Sequence, residues 1–340
     1  MRIGRLLAVS VVSVASLIVL AAVIIWVTFY FQSRSTQQNL SDPDGQQARS
    51  PIANLALVNK SQGESSFLYR TDFSSGTSVR LTNVARGIES EAVFSHDGKL
   101  VAYSFASSPD SKSAVWVVGI DGTNPHQLST KDEDALHPAF SMDDSTMFFA
   151  VSNYTGNHSP VARPSRHDWD IFSVSLAFDG STSSAPIRVT GKSLYDLKSL
   201  DVAAEDFAAH APKLLISTSA YPIGDLIEEL KVGDPGRDAI FQPHVPREPT
   251  APSTPVYGEA RYINGGMYIL FLAATDNGSG TFDYNVYSMS AVTGSEIKQL
   301  THLQGMTTNL QIMPDGRAEL ANRGASYALD LSTDNLTVLK

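Results

Sequence analysis

Four side chains that could hold a metal ion, His158, His167, Asp168 and Asp170, fall in the stretch "SNYTGNHSPVARPSRHDWD", residues 152–170. Imidazole and carboxylate are ordinary zinc donors. Their spacing fits no common metal signature, however, and Arg163 and Arg166 stand close enough to repel a cation. The expectation is a solvated loop that offers His158, Arg163, Arg166, His167 and Trp169 to a protein partner, because long loops on a rigid scaffold usually carry its contacts. A second candidate contact is "QPHVPREPTAPSTP", in which Pro243, Pro246, Pro249, Pro252 and Pro255 recur at every third residue. Polyproline II has about three residues per turn, so all five rings would line one edge of an extended rod. Such a rod either docks in an aromatic groove of a partner or braces the rim of its own domain, and bracing is the preferred role.

Other chemistry is poorly provided for. The chain has no cysteine, which removes disulfides, thiolate metal sites and a cysteine nucleophile. No G-x-S-x-G elbow, P-loop or dinucleotide fingerprint occurs. No catalytic, cofactor-binding or metal residue is therefore assigned, and a non-enzymatic protein is expected. With 35 acidic and 25 basic residues the net charge is −10, which argues against nucleic acid as a partner.

The elements that would position any site begin with a membrane signal. From Leu6 to Phe31 there is no charge, and Trp26, Phe29, Tyr30 and Phe31 cluster at the far end. As a helix this run would extend about 39 Å, enough to cross about 30 Å of hydrocarbon with some tilt. Arg2 and Arg5 precede it and only Arg34 follows closely, so the positive-inside bias predicts a cytoplasmic N-terminus and an extracytoplasmic remainder. An uncleaved anchor over 1–32 is preferred to a cleaved signal peptide, whose apolar region is shorter. Residues 33–50 are polar and turn-rich and read as a linker.

Beyond the linker a hairpin recurs. "FSHDGKLVAYS" turns at Gly98, "FSMDDSTMFFAVS" at Asp144, "YINGGMYILFLA" at Gly265 and "IMPDGRAELAN" at Gly316, with a weaker candidate at Gly45 and a degenerate one near Asp206. After most of them come a third and a fourth strand, as in "AVWVVGIDGTNPHQLS" and "NVYSMSAVTGSEIKQLT". Four short strands repeated every 40 to 60 residues or so form the pattern of a β-propeller, and six hairpins imply six blades over 51–340. The predicted class is thus all-β, a six-bladed β-propeller of four-stranded antiparallel blades preceded by one transmembrane α-helix. The pairs Asp97-Gly98, Asp121-Gly122, Asp179-Gly180 and Asp315-Gly316 read as structural turns, their carboxylates capping backbone amides. "DLIEELKVGDPG", residues 225–236, has a helical look from Leu226 and Leu230, with a strand broken at Gly233 as the alternative. The last strand, "NLTVLK", is expected to pair with, or lie beside, the blade begun near Pro51, closing the ring.

"FSHDGKLVAYSF…VWVVGIDGTNPHQLS" resembles the WD40-like (PD40) repeat of the TolB-type propellers, in which an aromatic-Ser-Pro-Asp-Gly turn joins strands one and two. His96 and Met142 stand where that family usually has Pro, and the match is poor between Lys192 and Pro255. The resemblance implies a protein-binding scaffold or an accessory subunit of an envelope complex, here held in the bilayer through residues 6–31. The alternative is a propeller enzyme or ligand-binding protein acting on a carbohydrate or peptide at the central channel. Acids and His converging on that channel would favour the alternative.

Overall fold

The computed structural model describes residues 46–50, 54–156, 165–182, 184–203, 212–220, 224–233, 238–243, 256–277, 281–313 and 315–339. The apolar run 6–31 lies outside them, as do the turn candidates at Gly45 and Asp206. Among the described residues no helix is long and apolar enough to cross a membrane.

Strands follow one another in groups of four. The first group is β1 (Gln46–Arg49), β2 (Leu55–Gln62), β3 (Ser65–Asp72) and β4 (Thr77–Arg80). The second is β5 (Ile88–Phe94), β6 (Leu100–Ala106), β7 (Ser113–Gly119) and β8 (His126–Gln127). Then come β9 (Asp134–Phe140), β10 (Thr146–Gly156), β11 (Ser165–Ser175) and β12 (Ile187–Arg188), followed by β13 (Asp196–Val202), β14 (Lys213–Ala220), β15 (Gly224–Lys231) and β16 (Ala239–Phe241). The chain ends with β17 (Tyr257–Ile263), β18 (Tyr268–Asp276), β19 (Phe282–Ser290) and β20 (Lys298–Gln299), and with β21 (Thr307–Ile312), β22 (Ala318–Asn322), β23 (Ala325–Asp330) and β24 (Asn335–Val338). Every group is an antiparallel meander, and the first two are joined by one parallel bridge, Ser66↔Ile88. The fold is all-β. Its first strand, β1, lies inside the stretch read as a linker.

Second strands show why the sequence runs are continuously apolar instead of alternating. In β10, Met147, Phe149 and Val151 pack on the second group, whereas Phe148 and Ala150 pack on the fourth. In β18, Ile269 and Phe271 face the fourth group and Leu270 and Leu272 the last. Successive side chains point to opposite faces, so a sheet covered on both sides needs an apolar residue at each position. Full burial of one such side chain stabilises by about 1.5–3 kcal/mol.

Two expectations are corrected. Residues 225–231 form strand β15 and no helix; Leu226 and Leu230 are both buried, and the adjacent Glu228 and Glu229 are bonded to Lys192 (2.8 Å) and to the Tyr262 hydroxyl (2.9 Å). A strand on which both faces are covered buries neighbouring acids in opposite directions, and the Leu spacing carries no helical meaning there. Of the two arrangements expected for the final strand, pairing with the first group is overturned: it pairs with β23, through Tyr327↔Val338 to Asp330↔Asn335, while the first and last groups touch through the ion pair Arg49–Glu319, at 3.1 Å.

Candidate functional site

First strands stand side by side, β5 against β9, β9 against β13, β13 against β17 and β17 against β21. Apart from the single bridge Ser66↔Ile88 at the start of β5, each bonds only to its second strand, which leaves an inner edge of amides that must be satisfied some other way. Register shifts occur in every first strand: between Gln46 and Ala48, Ser90 and Val93, Leu136 and Ala139, Leu197 and Ser199, Tyr257 and Ala260, and Thr308 and Gln311. An extra residue at such a shift bends the strand and re-aims a side chain. The unpaired residues at the last five shifts include a polar one each time, Glu91, His137, Lys198, Glu259 and Asn309, beside Ala92, Pro138, Gly258 and Leu310. Glu91, His137 and Asn309 take φ values of 51°, 56° and 56°, in the left-handed region.

These side chains bind one group to the next. The amide of His137 donates to Glu91 Oε2 at 2.7 Å, and that of Asn309 to Glu259 Oε1 at 2.8 Å. Tyr262 N–H donates to Asp201 Oδ2 (2.8 Å) and Ala260 N–H to Ser199 Oγ (3.0 Å). Thus the free edge of one first strand is capped by side chains of the first strand before it.

The same side chains form two ion pairs. His137 Nδ1 lies 3.4 Å from Glu91 Oε1. Arg261 donates to Glu259 Oε2 at 3.1 Å and draws down the carboxyls of both Glu259 and Asp201. Loss of hydration outweighs this and leaves both carboxyls above the ordinary range, although on Glu259 it is opposed by Arg261 and by the amides of Asn309 and Leu310. Yet the side chains of Glu91, His137, Glu259 and Arg261 keep 31%, 17%, 13% and 21% of their surface exposed. Chemically, these side chains can donate and accept hydrogen bonds and bind charge.

Of the residues singled out in the sequence, the described ones are placed elsewhere. Pro246, Pro249, Pro252, Pro255, His158 and Arg163 lie outside the described residues. Pro243 is buried and its carbonyl accepts from Tyr257 Oη at 2.5 Å. The expected loop 152–170 is strand over 152–156 and 165–170, and the three described candidates are engaged within the fold. Arg166 donates to Asp134 Oδ2 (2.7 Å), His167 is buried between Ser165 Oγ (2.7 Å) and Tyr195 O (2.8 Å), and Trp169 is a core residue at 3% exposure. Asp170 is fully buried and bonded to Arg188 and Thr190 Oγ1, away from His167. Among the described residues no three potential metal ligands come together. At the turns, Asp97 and Asp315 accept from the amides of Lys99 and Arg317, and Asp121 and Asp179 from those of Thr123 and Ser181, at 3.0 to 3.1 Å.

The polar first-strand residues went unnoticed in the sequence although Glu91 opens the segment EAVFSHDG. A polar residue followed by a small or apolar one, Glu91-Ala92, His137-Pro138, Lys198-Ser199, Glu259-Ala260 and Asn309-Leu310, precedes the turn or second strand of successive groups. That signal has no meaning until the register is known.

No protein-family model matches the chain, and no curated protein does. Solved structures do. TolB from Acinetobacter baumannii superposes with a TM-score of 0.55 at 14% identity over 87% of this chain, which spans 63% of that one. A putative TolB from Agrobacterium tumefaciens gives 0.53 at 18%, covering 80% of this chain and 86% of that. An oligogalacturonate lyase from Vibrio parahaemolyticus gives 0.56 at 10%, covering 87% and 77%. At such identities the likeness establishes the fold, a β-propeller, whose first strands surround a central channel.

Proposed function

We propose that this protein is a six-bladed β-propeller, carried on an uncleaved N-terminal anchor and displayed outside the cytoplasmic membrane, that works by binding proteins of a membrane or envelope complex. The observation that supports this reading most is the pairing of a charge-free run over residues 6–31 with a propeller fold also seen in TolB. Its inner carboxylates support binding over catalysis, since Glu91, Asp201 and Glu259 are each committed to a neighbouring amide. Pull-down from native membranes in mild detergent, followed by mass spectrometry, tests the proposal. A stoichiometric membrane-protein partner is expected; recovery of the chain alone, as a monomer, would overturn it.

A second reading is favoured by the two ion pairs carried on first strands, His137–Glu91 and Arg261–Glu259, since first strands line the channel of a propeller: a small ligand, such as a saccharide or peptide, binds or is processed there. Titration of the full chain with oligosaccharides and short peptides, read by hydrogen exchange in β5, β9 and β17, tests it. Exchange unchanged by every probe would exclude this reading.

A further inference from the structure

We propose that three neighbouring hairpin turns, 95–99, 141–145 and 176–181, form a surface that docks a protein partner with an apolar pocket bordered by lysine or arginine, Phe178 being the side chain inserted; this rests on the protein-binding reading. The three turns touch one another. Asp144 accepts from the amides of His96 (2.8 Å) and Asp97 (2.9 Å), the Leu176 amide donates to Ser145 O at 2.8 Å, and the Lys99 ammonium lies 4.4 Å from the centre of the Phe178 ring. Phe178 is 80% exposed, more than any other described aromatic residue, and Met142 on the adjoining turn is 47% exposed.

The fold does not need the Phe178 ring. In the second group the residue after β7, Ile120, donates its amide to Lys99 O, packs on the core and is followed at once by Asp121-Gly122. In the third group Leu176 makes the equivalent bond to Ser145 O and is buried, but Ala177 and Phe178 are interposed before Asp179-Gly180. The two extra residues carry the ring past the core and out over Lys99. A cation on one face of the ring restrains it and leaves the other face to solvent. Aromatic side chains held in this way are favoured interface anchors, since each brings a large apolar area to the contact.

Charge selects the occupant. The three turns carry four carboxylates, Asp97, Asp143, Asp144 and Asp179, against one ammonium, that of Lys99, which is itself paired with Asp97 at 2.8 Å. A second copy of the chain would set these four acids against themselves, and an anionic bilayer surface would be repelled as well. A basic border around an apolar pocket is complementary to both the charge and the ring.

The test starts from photo-crosslinking of the full chain in native membranes, with Phe178→p-benzoylphenylalanine and, as control, Val338→p-benzoylphenylalanine on the exposed outer strand β24. Position 178 should capture one protein that position 338 does not. That protein, identified and purified, should bind Phe178→Ser at least about tenfold more weakly than wild type. Asp143→Asn combined with Asp179→Asn should slow its association several-fold at low salt and have little effect at high salt. Because the ring lies outside the core, Phe178→Ser should melt with wild type, which separates lost binding from lost folding. No adduct at 178, an adduct there with lipid or with a second copy of the chain, or a captured protein indifferent to Phe178→Ser or to the double variant would overturn the proposal. A pull-down partner that binds Phe178→Ser unchanged would overturn this surface and leave the scaffold reading standing; recovery of a lone monomer would remove both.

Discussion

Carboxylates at the hairpin turns and carboxylates near the channel and sheet junctions do opposite things with the same chemistry. At the turns, hydroxyl donors lead: Ser74 to Asp72, Thr123 to Asp121, Ser141 to Asp143, Ser181 to Asp179 and Ser332 to Asp330, each with an amide beside it, and all five carboxyls are held below their ordinary range. Inside, loss of hydration leads, and Glu89, Asp201 and Glu259 are held above it despite comparable hydrogen bonds. Water decides the sign. A turn carboxylate keeps most of its hydration and gains donors, whereas an inner one trades hydration for donors and ends short.

The largest break in this contrast is expected at Asp225, which accepts from Tyr257 N–H (2.8 Å) and pairs with Lys198, both side chains being only 10% exposed. Asp225→Ala leaves a buried ammonium uncompensated and should cost about 3–5 kcal/mol in urea unfolding. A loss below about 1 kcal/mol would show that water reaches Lys198 freely. Next is Glu259→Ala. It strips the Asn309 amide of its acceptor and leaves Arg261 with the Ala260 carbonyl but no carboxylate, for an expected loss of about 2–3 kcal/mol. Glu259→Gln should recover part of that, since its carbonyl can still accept from Asn309.

How much of this contrast could be read from the amino acids follows from its range along the chain. Asp97-Gly98 and Asp315-Gly316 are visible because a turn aspartate bonds to its own neighbours, and Gly98 at φ 68° and Gly316 at φ 83° supply the left-handed residue. Apolar runs such as Met147–Val151 reveal second strands for the same local reason. Glu91, Glu259 and Asp201 are different: what each does depends on an amide 46 to 61 residues away, and for Glu91 and Glu259 also on a register shift that no local pattern announces. Trp169 and His167 misled in the other direction. They sit among Arg, His and Asp in a polar stretch, yet β11 turns both side chains inward.

The pH dependence separates the two classes by sign. Glu89 is fully buried and accepts from Leu68 N–H at 2.6 Å and from the Thr82 hydroxyl, with its carboxyl raised by lost hydration. The native state therefore holds the proton more tightly than the unfolded chain, and stability falls as pH rises from the unfolded value, about 4.3, through the raised folded one. Glu89→Gln mimics the protonated form. It should leave the chain as stable as wild type or more so at pH 7, and the difference should vanish as pH falls through the folded value. A Gln variant less stable at neutral pH than in acid, relative to wild type, would mean that the ionised form is the one the site favours.

The smallest effect is expected at a turn. Asp143 accepts from the Ser141 hydroxyl (2.7 Å) and from both the amide (3.1 Å) and the hydroxyl of Ser145. Its carboxyl is lowered, so the unfolded chain binds the proton more tightly, and the stability it contributes is present above about pH 4 and lost as pH falls through the folded value. Asp143→Asn keeps an acceptor in the same place and should change the melting temperature little at pH 7, while flattening part of the acid limb below pH 4. Asp143→Ala should be worse at neutral pH, because Ser141 and Ser145 then lose their common acceptor. Should Asn and Ala prove equally harmful, charge and not hydrogen bonding would be what the turn requires, and the distinction between turn and channel carboxylates would have to be redrawn on electrostatic grounds alone.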